Sequence, residues 1–102
     1  MKRLRFIGAS QDDLSGFPDE ARRAAGYELW QVQKGLMPSD WKHMVGVGQG
    51  AYEIRIHVFG EWRVIYVAKF ADTVCVLHAF QKKTQKTRHE DIELAKKRYK
   101  EI

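Results

Sequence analysis

Three apolar runs follow one another between residues 52 and 80: Tyr52-Glu53-Ile54-Arg55-Ile56-His57-Val58, then Trp62-Arg63-Val64-Ile65-Tyr66-Val67-Ala68-Lys69, then Thr73-Val74-Cys75-Val76-Leu77-His78-Ala79-Phe80. In the first, Tyr52, Ile54, Ile56 and Val58 alternate with Glu53, Arg55 and His57, which predicts a strand with one core face and one polar face. Phe59-Gly60-Glu61-Trp62 predicts a two-residue hairpin loop with Gly60 at its first central position, so the chain should return as a strand from Arg63 to Phe70. Ala71-Asp72 is the next turn. The third run is apolar apart from Thr73 and His78, as a central strand covered on both faces would be.

Upstream, Leu4 and Phe6 alternate with Arg3 and Arg5 in a short strand. Ser10-Gln11-Asp12-Asp13 then reads as a capping box opening a brief helical turn that stops at Gly16. After Pro18, Ala21, Ala25, Leu29, Val32 and Leu36 recur at helical spacing, which predicts an amphipathic helix ending near Gly35. Met37 to Gly50 contains Pro38 and three glycines and reads as a loop. Downstream, Thr87-Arg88-His89-Glu90 fits a second capping box, with Ile92, Ala95, Tyr99 and Ile102 on one stripe of a last helix. The expected fold is α+β in the order β-α-α-β-β-β-α, an antiparallel-rich sheet packed against two N-terminal helices and a C-terminal one, forming a single domain over residues 1–102.

Composition narrows the function. The 102 residues carry 18 Lys and Arg against 13 Asp and Glu, a formal charge of +5, and 44% are hydrophobic. A chain of this length buries roughly two thirds of its extended surface, enough for a core without a metal or disulfide staple. The single Cys75 cannot pair internally, and no Cys/His cluster has zinc spacing. The basic Met1-Lys2-Arg3-Leu4-Arg5 is followed by only Phe6-Ile7 before Gly8, far short of a signal core, and the longest apolar run is Val64 to Ala68. These features predict a cytoplasmic domain with no membrane span, no cofactor and no metal, whose positive charge suits a polyanionic partner.

Two places could hold chemistry. Lys82, Lys83, Lys86 and Arg88 crowd a loop without acids that feeds a helix N-terminus, where free N–H groups and the positive dipole end favour phosphate; a solvated basic loop is the plainer reading. Arg55, His57 and Arg63 stand on the polar face of the meander and could meet a nucleic-acid backbone, although edge strands also carry charge simply to prevent pairing. His89 at the helix start is better placed for a phosphate ester than His57 or His78, since strand histidines are more often structural. Gly46-Val47-Gly48-Gln49-Gly50 lacks the Lys-Ser/Thr of a phosphate loop. Trp30, Trp41 and Trp62 read as core and loop anchors, because no aromatic pair repeats at strand spacing on a basic face.

The segments Tyr52 to Ile56, Trp62 to Lys69, and above all Val76-Leu77-His78-Ala79-Phe80-Gln81-Lys82-Lys83-Thr84-Gln85-Lys86-Thr87 followed by Asp91 to Ala95 resemble the RelE/ParE toxin superfamily in its HigB-like, phage-derived branch. The resemblance implies the toxin of a toxin–antitoxin pair, an endoribonuclease that cuts mRNA in the A site of the 70S ribosome and is held inactive by an antitoxin with a helix-turn-helix domain. It implies that Arg63 faces the scissile phosphate from an exposed strand position, that Arg55 orients the RNA, and that Lys82 and Lys83 neutralise the phosphate. His57, Lys86 and Arg88 join the RNA-binding set, and Arg63, Lys83 and His89 form the catalytic one. Two departures stand out: Ile92 occupies the register where some members carry a tyrosine, leaving His89 as the nearest titratable replacement, and Arg88 stands where this branch has proline. The competing readings are a ParE-like gyrase inhibitor and a non-catalytic basic nucleic-acid-binding module.

Overall fold

The computed structural model describes Met1 to Ile102. Its elements are β1 (Arg3–Phe6), α1 (Ser10–Ser15), α2 (Asp19–Gln33), β2 (Trp41–His43), β3 (Ala51–Ile56), β4 (Trp62–Val67), β5 (Thr73–Gln81) and α3 (His89–Tyr99). The strands form one mixed sheet in the order β1-β5-β4-β3-β2, antiparallel except where β1 lies parallel to β5. The meander predicted from the three apolar runs forms β3, β4 and β5, and β5, interior between β1 and β4, is buried from Val74 to Phe80. No helix is long and apolar enough to cross a membrane.

The alternating patterns fill two cores, one on each face of the sheet. Leu14, Phe17, Ala21, Ala25, Leu29 and Val32 of the α1–α2 segment pack on Ile54, Ile56, Val64, Tyr66, Val74 and Val76. On the other face Ala95 of α3 meets Ile65, Val67, Cys75, Leu77 and Phe80, with Ile92 and Tyr99 at the margin. Gly35, at φ 89°, ends α2 with a paired closure in which its N–H donates to Val32 O and that of Leu36 to Gln31 O. Leu36 therefore leaves the stripe and is exposed.

Several local expectations are corrected. The stretch from Met37 to Gly50 is not all loop, because Trp41-Lys42-His43 pairs antiparallel with β3, Trp41 opposite Ile54 and His43 opposite Tyr52. Three residues bounded by Pro38 and glycines are too few for a visible period. The hairpin loop is wider than two residues, since Ile56 pairs with Trp62 and the turn takes residues 57–61 with positive φ at both Phe59 and Gly60. Trp62 is drawn into β4 because its ring packs 4.8 Å from that of Phe17 and its Nε1–H donates to Val58 O.

β4 itself ends at Val67 rather than Phe70. Neither proposed capping box forms. Ser10 is buried and donates to Val76 O of β5, and Thr87 donates to Glu53 Oε2. In β5 the pairing with β4 shifts register between Ile65 and Tyr66, leaving Leu77 unpaired, so Leu77 and His78 break the strict alternation.

Buried charge ties α3 down. His78 Nε2 donates to Asp91 Oδ1 at 2.8 Å, and Arg98 Nη1 donates to Asp13 Oδ2 and Leu77 O. His78 is thus the structural histidine its strand position suggested, and it fixes the helix at whose start the basic loop ends. At the far end of α3, Tyr99 donates to Gln49 O and accepts from Lys69 Nζ, its ring filling the space a side chain at position 48 would need.

Candidate nucleic-acid interface

The register of the β3–β4 hairpin sets Arg55 directly opposite Arg63. Like charges in that relation repel. The compensation comes from Glu53, wholly buried, whose Oε1 lies 3.9 Å from Arg55 Nε and 3.7 Å from Arg63 Nε. None of these three atoms has a hydrogen-bond partner, so the carboxylate holds the two guanidinium groups by charge alone, while its second oxygen takes the Thr87 hydroxyl. Sequence reasoning placed Glu53 on the polar face without assigning it a part. The available signal was an acid two residues before Arg55 on the same strand face.

Above this carboxylate lies a hollow of about 360 Å³ lined by four cationic residues, Lys42, Arg55, Lys82 and Lys86, together with Gln85, Thr87 and Ile92. They come from three places in the chain: Lys42 from the edge strand β2, Arg55 from β3, and Lys82 and Lys86 from the loop after β5. The Lys82 N–H donates to Glu61 O, which fixes the start of that loop against the hairpin turn. Burial holds the Lys82 ammonium below the ordinary lysine value, with Arg63, Arg55 and Lys42 pushing the same way and Glu53 opposing. An anion in the hollow would relieve that repulsion.

Arg63 is not exposed as expected. It is 4% accessible, with Nη1 donating to Trp62 O and Nη2 to Glu61 Oε1 at 3.1 Å. It sits in β4, the middle strand of the sheet, which is covered on both faces, so its charge reaches the hollow beside Arg55 and Lys82 rather than from the surface. Lys83 is exposed and does not line the hollow, and neither does His89, whose side chain is 80% exposed and lies 3.5 Å from Glu93. Arg88 pairs with Asp91 and Glu90 at the helix start. The structure thus brings Arg55, Lys82 and Lys86 together around the hollow, with Arg63 adjacent, and leaves Lys83, Arg88 and His89 outside its lining.

His57 lies elsewhere. Its Nε2 is 2.7 Å from Asp40 and its Nδ1 is 2.8 Å from Glu61, so it clasps the approach to β2 to the hairpin turn. The hydrogen bond to Asp40 and then that to Glu61 raise the imidazole above its ordinary 6.5, and the His57 bond lowers Glu61 below 4.5, helped by Arg63. A raised histidine contributes stability that is full below pH 6.5 and is lost as pH rises through its folded value. A depressed carboxylate contributes stability present above pH 4.5 and lost as pH falls through its folded value. The clasp is therefore complete between 4.5 and 6.5. His57→Gln is expected to lower the melting temperature most in that window, with the difference from the parent shrinking toward pH 9; a constant difference in melts across the range would count against the clasp.

Comparison with known proteins adds the family. The model for "Phage derived protein Gp49-like (DUF891)" matches residues 12–100, which includes every wall of the hollow. The chain belongs to this family. No curated protein matches it. The match takes in most of α1 together with α2, the meander and α3, so the Gp49-like unit is the sheet from β2 to β5 with its helices, the first strand lying outside it.

Proposed function

We propose that this Gp49-like chain is a RelE/HigB-type toxin of a toxin–antitoxin pair, acting as a metal-independent, ribosome-dependent mRNA endoribonuclease. The observation that carries the reading is the convergence of Lys42, Arg55, Lys82 and Lys86 on one hollow, with Arg63 held beside it by a buried carboxylate. Such crowding raises the energy of the empty site and is repaid when a phosphate enters. The RNA 2′-oxygen attacks the adjacent phosphorus as its proton leaves to a base, the P–O5′ bond breaks, and the 5′ oxygen takes a proton, giving a 2′,3′-cyclic phosphate and a 5′-hydroxyl. Arg55 and Arg63 offset the extra negative charge on phosphorus, and Lys82 and Lys86 hold the backbone in line. Lys83 and His89 complete the catalytic set and Arg88 the RNA-binding one from outside the wall of the hollow, while His57 serves the clasp at the hairpin turn. Ile92 lines the wall where superfamily relatives carry a tyrosine, so the wall itself supplies no proton acceptor there.

The deciding experiment is sequencing of RNA 5′ ends after a brief induction in cells. Cuts at codon boundaries that vanish when translation is blocked are expected; intact mRNA with loss of gyrase supercoiling would instead establish the gyrase-inhibitor reading. An antitoxin with a helix-turn-helix domain is the expected partner, its acidic or apolar segment laid over the loop and shielding Lys82 from amine labelling.

Binding to single-stranded RNA should show the phosphate contacts in its salt dependence. Each contact adds about 0.7 to the slope of log affinity on log salt, so Lys82→Ala with Lys86→Ala is expected to flatten it by up to about 1.4. Lys83→Ala should change it less, since Lys83 does not line the hollow. An unchanged slope in the double variant would remove the phosphate from this site.

A further inference from the structure

The edge strand β2 shows different chemistry on its two faces. Lys42 lies opposite Glu53 and lines the basic hollow, whereas Trp41 and His43, one residue to either side, project from the other face. There they form an aromatic cluster with Tyr52: Trp41 meets His43 at 5.1 Å and Tyr52 at 5.4 Å, both edge to face, and His43 lies 5.0 Å from Tyr52. Tyr52 in turn stacks on the buried Tyr66 at 5.6 Å, which anchors the group to the sheet. The strand spacing of Trp41 and His43 was hidden in the sequence because β2 itself was read as loop.

This cluster is only partly covered. His43 is exposed, Trp41 and Tyr52 are half-buried, and β2 pairs with β3 alone, so its outer edge is free. An exposed edge is usually guarded by charge or proline on the strand itself. Here the one charge, Lys42, turns into the hollow, and the opposite face presents rings. A second copy of the chain is a poor occupant, because each copy carries +5.

We propose that Trp41, His43 and Tyr52 form a base-stacking platform for single-stranded RNA whose backbone enters the hollow, a reading that rests on the proposed RNA site. A strand crossing β2 places a phosphate against Lys42, Arg55 and Lys82 and folds a neighbouring base over the edge onto the rings. Stacking tolerates any base, since every base has a π-face. The platform thus adds affinity without fixing sequence.

The test measures binding of a fluorescein-labelled single-stranded RNA twelve-mer to the full chain between 50 and 200 mM salt, by anisotropy, with thermal melts as the folding control. Trp41→Leu, which keeps an apolar residue in β2, is expected to weaken binding about tenfold at every salt concentration with an unchanged slope. Trp41→Phe should recover most of the loss, and His43→Tyr should bind at least as tightly as the parent. Replacing the bases of the twelve-mer by abasic sites should weaken the parent and leave Trp41→Leu nearly unaffected. If the parent binds and Trp41→Leu binds equally well, or the abasic strand binds the parent as tightly, the platform is overturned while the phosphate site stands. If the parent binds no RNA at 50 mM salt, the RNA reading falls and the platform with it.

Discussion

Arg63→Ala is expected both to unfold the protein more readily and to abolish cleavage. In the folded chain its guanidinium and Arg55 are the counter-charges of Glu53, which has no access to solvent. Leaving a buried carboxylate short of a partner costs about 3 kcal/mol or more, a fall in melting temperature exceeding about 10 °C for a domain of this size. Loss of a fixed donor to the transition-state charge costs a further 10²–10³-fold in rate, roughly 3–4 kcal/mol. Toxicity of the alanine variant alone cannot separate the two effects. Arg63→Lys keeps a charge against Glu53 and loses the planar fork, so it should melt near the parent yet cleave at least about tenfold more slowly. An alanine variant that melts with the parent would remove Glu53 as the group holding Arg63, and a fully toxic lysine variant would remove Arg63 from catalysis.

The second large effect concerns the proton. His89→Gln is expected to slow single-turnover cleavage on pre-bound ribosomes by about 10²-fold, the usual scale for a lost general base, with little change in binding or melting because the side chain is 80% exposed. His57→Gln is expected to leave the rate within a few-fold. Its ring is occupied on both nitrogens by carboxylates and holds its proton above the ordinary histidine value, which makes it a fastener and a poor acceptor. If both variants match the parent in rate and pH profile, no histidine here is the base, and alignment by Arg63, Arg55 and Lys83 carries the reaction.

The parts legible in the sequence were those with a sustained period. The meander, α2 and α3 each carry their pattern over enough residues to reveal a buried face, and the charge contrast after Gln81 marked the loop that does line the hollow. What escaped depends on neighbours distant in the chain. Trp41-Lys42-His43 is a strand because β3 pairs with it, and Ser10 and Thr87 abandon local caps because Val76 O and Glu53 offer better partners. Arg63 looked exposed because alternation across β3 has a polar face. That face is covered at Glu53 and Arg63 by the loop and α3, and Asp91 and Arg98 are buried with it, hydrogen-bonded to His78 and Asp13.

The parallel pairing of β1 with β5 has a consequence for synthesis. Residues 3–6 must wait for residues 73–76 before they have a place in the sheet, and Ile7 and Ser10 likewise bond to Val76 O. Closing so long a loop is paid in entropy before any contact rewards it, which makes this a late event in folding. The basic loop and the helix that steadies it are made later still. During translation the growing polypeptide therefore carries its cations as an unassembled set, and a chain interrupted before β5 would present Lys42, Arg55 and Arg63 with no hollow to share. Under the proposed function, cutting would become possible only after the basic loop and α3 have joined the sheet, a built-in delay for a chain proposed to act on mRNA inside the machine that makes it.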